Sequence, residues 1–126
     1  MSEKQIPAVL QRRQLAANVL TFSLATEESA LQERAATASE GRAAKTLVEQ
    51  GSLRITLIAM TRDTVLERHQ AAGPISIQTL RGTLRVTTDD GGIDLAPGDL
   101  ATLGPAIPHT AQALEDCAFL LTISMP

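Results

Sequence analysis

The chain has 126 residues, 44% of them hydrophobic, and a formal net charge of −3. That is enough for one ordinary core, since domains typically run to about 100–200 residues. Its eleven Lys and Arg residues form no run, so neither nucleic acid nor an anionic membrane is suggested as a partner.

In chain order, residues 1–44 read as a partly helical extension and residues 45–126 as a β-barrel domain. The first 44 residues are rich in Ala, Glu, Gln, Arg and Leu, and Pro7 stands where a helix could begin. Leu10, Leu15, Val19 and Phe22 recur at loose helical spacing, and Glu27 to Ala36 reads as a second short helix. Ser39-Glu40-Gly41 is a loop.

From Thr46 onward, short β-rich runs are broken by turn residues, the pattern of sandwiches and closed barrels. Leu53, Ile55, Leu57 and Ala59 alternate with Arg54, Thr56, Ile58 and Met60, which predicts a strand covered on both sides. Arg62-Asp63 turns the chain, Thr64 to His69 runs on, and Gly73-Pro74 breaks it before Ile75 to Leu80. Gly82 ends that strand. Leu84 and Val86 then alternate with Arg85 and Thr87 up to a hairpin turn at Asp89-Asp90-Gly91-Gly92. Ile93 to Leu95, a turn at Pro97-Gly98, Leu100 to Leu103, bends at Gly104-Pro105 and Pro108, and a last strand from Ala118 to Ser124 follow. Eight or nine short strands make one all-β barrel.

No apolar stretch approaches the ~20 residues that span a bilayer, and the N-terminus shows no leader pattern, so the sequence reads as cytoplasmic. Cys117 is the one cysteine and lies in an apolar run, which predicts burial rather than a disulfide or a reactive thiol. There is no Trp and no Tyr, and the aromatics are Phe22 and Phe119, so a pocket must be walled by aliphatic, small and Thr side chains.

Two segments carry a family resemblance. His69 precedes Gly82 by thirteen residues, with Ala71 and Ile75 between them, and Gly98 precedes His109 by eleven, with Asp99, Pro105 and Pro108 between them. In this the chain resembles the cupin superfamily, the RmlC-like jelly rolls, over roughly Leu53 to Ile123. The resemblance implies a double-stranded β-helix in which the positions of His69, Ala71, Ile75 and His109 hold a divalent metal such as nickel, zinc, iron or manganese. Here Ala71 and Ile75 stand where a second His and a Glu are expected, so two of four ligands are present. It also implies pairing of two copies, and Ile58 and Met60 on the outer parity of their strand, with the Ala-rich N-terminal region, offer apolar surface for a homodimer.

If strand phase survives Gly73-Pro74, positions 69, 71 and 75 project into the barrel and His109 faces His69. Glu67 shares the parity of His69 and is a candidate third ligand, whereas Gln78 is out of phase. Three readings of the pair stay open: polar residues lining a cavity, a weak metal site, or acid–base catalysis with Asp99 or Asp116 orienting one ring. A metal-free epimerase chemistry relying on a Tyr acid has no Tyr to use. The sequence therefore predicts a small-molecule-binding barrel with an apolar pocket lined by Ile75, Ile77, Leu84 and Val86 and marked by His69 and His109. The alternative is a metal-dependent dioxygenase or isomerase whose site is completed by water or a non-standard ligand; the third is a structural module acting through its dimer.

Overall fold

A computed structural model describes residues 15–125. Ser23 caps the helix α1 (Leu24–Thr37), its Oγ accepting from the Thr26 amide at 3.4 Å, and Gly41 turns the chain out at φ 72°. Nine strands follow: β1 (Arg42–Gln50), β2 (Leu53–Met60), β3 (Val65–His69), β4 (Ile75–Arg81), β5 (Leu84–Thr88), β6 (Gly91–Leu95), β7 (Leu100–Leu103), β8 (His109–Ala113) and β9 (Cys117–Ser124). They form a five-stranded sheet in the order β1-β2-β9-β4-β7 and a four-stranded sheet in the order β3-β8-β5-β6. Every strand pair is antiparallel. No helix among the described residues is long and apolar enough to cross a membrane.

The alternation along β2 and β9 divides the core in two. Met60, Cys117 and Phe119 point between the sheets, where they meet Ile75, Ile77, Leu84 and Val86. Leu57, Ala59 and Ala118 point the other way and are covered by Leu31 and Ala35 of α1. The strand expected to be covered on both faces is so, but with the opposite sense for Ile58 and Met60. Met60 is fully buried in the interior cluster and Ile58 packs against it, so these two side chains form no outer docking surface. The helix is also held electrostatically: Glu27 pairs with Lys45 at 2.7 Å, and the buried Glu28 faces Arg81 at 3.1 Å.

The N-terminal reading holds in part. The second predicted helix is α1. The first is absent between Leu15 and Phe22, where the backbone bonds to the neighbouring edge strand instead of to itself: the Leu15 carbonyl accepts from the Glu49 amide at 2.8 Å. Val19 is accordingly 77% exposed. Pro7 and Leu10 lie outside the described residues. Strand pairing begins at Arg42, a few residues before Thr46. Cys117 is buried, and burial among Asp116 and Glu115 pushes its thiol up to about 12, which leaves no thiolate at neutral pH.

Gly82 shows why the turn between β4 and β5 needs glycine. Its φ is 68°, and a Cβ there would run into the backbone carbonyl of Asp116. Gly98 has φ 92° but nothing within 4 Å of a Cβ. Replacing Gly82 by Ala therefore combines backbone strain with an overlap against main chain, whereas Gly98→Ala meets strain alone. In urea unfolding, Gly98→Ala should cost about 1 kcal/mol and Gly82→Ala at least about twice that. Equal losses would show that the close approach to Asp116 contributes nothing.

Candidate functional site

The two histidines meet at the end of the four-stranded sheet. His69 closes β3 and His109 opens β8, and the two are directly paired in register. The ladder between these strands is irregular: Leu66 pairs with Ala111 and His69 with His109, so β3 carries one residue more than its partner. That bulge resets the alternation. Leu66 packs against the interior cluster, and three residues on His69 meets His109, an inward-facing residue of β8. Simple alternation puts Glu67 in phase with His69; the bulge breaks that alternation, yet both residues border the same depression.

The imidazole centroids are 4.3 Å apart with the planes tilted by 58°. His109 is 3% exposed, while His69 is open to solvent. Each ring is tied to its own strand: His69 Nδ1 lies 2.7 Å from the Glu67 carbonyl oxygen, and His109 Nδ1 lies 3.0 Å from that of Ile107. A carbonyl oxygen can only accept, so Nδ1 donates in both rings, and in the neutral imidazole each Nε2 is then the nitrogen with the lone pair. The expected orienting carboxylates are engaged elsewhere. Asp99 accepts from the Ala96 amide at 2.9 Å within its turn, and Asp116 accepts from the Arg62 amide at 2.8 Å.

Beside His69 opens a depression of about 510 Å³ lined by Glu40, Arg42, Leu66, Glu67 and His69. An adjoining hollow shares Glu40, Arg42 and Leu66 and adds Ala43, Ala44 and Ile58. Glu40 and Arg42 lie on the loop and first residues leading into β1, far from His69 in sequence, which is why no local pattern announced them. A smaller cavity of about 190 Å³ lies on the outer face of the five-stranded sheet among Phe22, Leu24, Leu47, Val48, Ile55 and Leu120. Its walls are entirely apolar, so it lacks the convergent polar groups that orient a ligand. The residues expected to line a pocket, Ile75, Ile77, Leu84 and Val86, do share the barrel interior. At 6% exposure or less they are packed together as core, and the open space lies beside His69 instead.

Comparison with known proteins bears on the fold. No family model and no curated protein matches the chain. Among solved structures, a cupin superfamily protein from Desulfitobacterium hafniense superposes with a TM-score of 0.72 at 18% identity, covering 92% of this chain and all of that one. The chain folds as a cupin barrel. A conserved protein of unknown function from Streptococcus pyogenes is similar over 93% of this chain and 96% of its own, with a TM-score of 0.70 and 21% identity. A variant of salicylate 1,2-dioxygenase from Pseudoaminobacter salicylatoxidans gives a TM-score of 0.76 at 17% identity; this chain spans 38% of that one.

The structural neighbours include that dioxygenase, so the metal that the resemblance implies must be tested against the side chains present. Ala71 and Ile75, at the positions of the second His and the Glu, pack into the apolar interior. Among the described residues no group of three or more His, Cys, Asp or Glu is placed to hold a metal ion, so Glu67 does not complete the set. Two imidazoles are fewer ligands than a tight site needs. The residues do not fit the metal centre.

Nitrogen NMR of the two imidazoles at a pH where both are neutral should show the Nδ1–H tautomer for each ring. An Nε2–H tautomer at His109 would contradict the anchoring described for it.

Proposed function

We propose that this cupin barrel binds a small molecule in the depression at its mouth, with the Nε2 atoms of His69 and His109 as fixed hydrogen-bond acceptors. The observation that carries the reading is the tie between each Nδ1 and a main-chain carbonyl, which fixes ring and tautomer before any ligand arrives. A packed apolar interior supplies a rigid floor, and the open space with polar groups lies beside His69.

The rival is a metal-dependent enzyme. Anchored Nδ1 atoms are also what metal-ligating histidines display, which is the observation in its favour. Against it stands the loss of two of four ligands to Ala71 and Ile75. Acid–base catalysis by the pair alone has no carboxylate on either Nδ1 to support it.

A screen of small fragments, read by NMR at the Cε1–H signals of both imidazoles, tests the reading. At least one fragment should shift the His69 and His109 signals saturably and raise the melting temperature, and the His69→Ala variant should lose that stabilisation. A ligand present at about 100 times its Kd adds roughly 2.7 kcal/mol to stability, well within reach of a thermal melt. Fragments that leave both imidazoles untouched and bind instead beside Phe22 would place the site on the outer sheet face and contradict the proposal.

A further inference from the structure

The chemistry around His69 points beyond the existence of a ligand to its class, an inference that rests on the mouth of the barrel being the binding site. Arg42 is the cation among the residues lining the depression, and Glu40 already faces it at 3.2 Å. Glu67 lines the same depression and has no ion-pair partner among the described residues. Its charge is therefore left over once Glu40 and Arg42 cancel. The two anchored rings add lone pairs and no donors, since each Nδ1–H is spent on a carbonyl. The His109 ring is 3% exposed, its centroid lies 4.3 Å from that of His69, and its Nε2 makes no hydrogen bond among the described residues. Rings that offer acceptors and no donors favour a ligand that donates.

The non-polar part of the lining fixes the other half of the ligand. Leu66 continues from the depression into the adjoining hollow, where Ala44 and Ile58 extend an aliphatic surface. Neither lining contains Phe, Tyr or Trp, so the only aromatic surface offered to a ring is the small imidazole of His69.

We propose that the site takes a small aliphatic amine in its protonated form, the ammonium donating to the Glu67 carboxylate and to imidazole Nε2 while the alkyl part lies along Leu66 and Ile58. An ammonium has three donors and no acceptor, the complement of what the site presents. A carboxylate ligand of the same shape would share Arg42 with Glu40 and would meet both Glu40 and Glu67 as like charges.

Three probes of matched shape separate the possibilities: isopentylamine, isovalerate and isopentanol, each titrated into the full-length chain with the two imidazole Cε1–H signals as readout. Isopentylamine should shift both signals saturably and bind about tenfold or more tighter than the other two, and Glu67→Gln should weaken it by about the same factor, as expected for losing a charged hydrogen bond. Glu67 is exposed, so that variant is expected to fold as the parent does. Tighter binding of isovalerate or equal binding of isopentanol at the imidazoles would overturn the amine assignment while leaving the mouth as the ligand site. An unchanged amine affinity in Glu67→Gln would overturn it as well. If no probe and no fragment moves either imidazole, the site itself is refuted along with its ligand class.

Discussion

Strands β2 and β9 carry apolar side chains on both faces, and a sheet so built must be covered twice. One cover is the four-stranded sheet, which closes the barrel over Met60, Cys117 and Phe119. The other is α1, whose Leu31 and Ala35 lie over Leu57, Ala59 and Ala118. Burial of apolar surface at about 25 cal/mol per Å² makes both covers obligatory, and leaves little freedom for either sheet to shift. The His69–His109 pair stands at the edge of that fixed frame.

The site follows from the frame by subtraction. A barrel of this kind has room at its mouth for several inward polar groups. Here Ala71 and Ile75 fill two of those places with hydrocarbon, and the interior below them is core. What remains polar has been pushed to one side: two imidazoles tied to their own strands, and Glu67, Arg42 and Glu40 around the adjacent opening. Neutral acceptors held at fixed angles suit recognition of a donor better than they suit redox or Lewis-acid chemistry, for which a fuller ligand set is required.

Much of the architecture was legible in the residues because β-strand alternation and turn chemistry are local. The hairpin at Asp89-Asp90-Gly91-Gly92, the strand after Gly73-Pro74 and the helix over Glu27 to Ala36 are each signalled within a dozen residues. Strand β8 gives a weaker signal, since its inward residues after His109 are only Ala111 and Ala113. The stretch from Leu15 to Phe22 has helical spacing but finds its backbone partner on β1, a long-range choice that no local pattern encodes. The same holds for the direction of Ile58 and Met60: alternation shows that two faces differ, but not which of two apolar faces is the inside. The bulge before His69 and the arrival of Glu40 and Arg42 beside it are products of tertiary pairing, so the histidines could be found from the sequence while the opening next to them could not.

The central claim is that packing has replaced the metal position of this barrel, and the metal content of chelator-free protein tests it most directly, measured by mass spectrometry on the parent and on an Ala71→His, Ile75→Glu double variant. The account predicts that the parent carries well under one metal per chain, while the variant, with two ligands added to His69 and His109 to make four, gains substantially. Close to one equivalent in the parent, lost on changing His69 and His109 together to Ala, would contradict the account and make the barrel a metalloprotein with ligands of another kind.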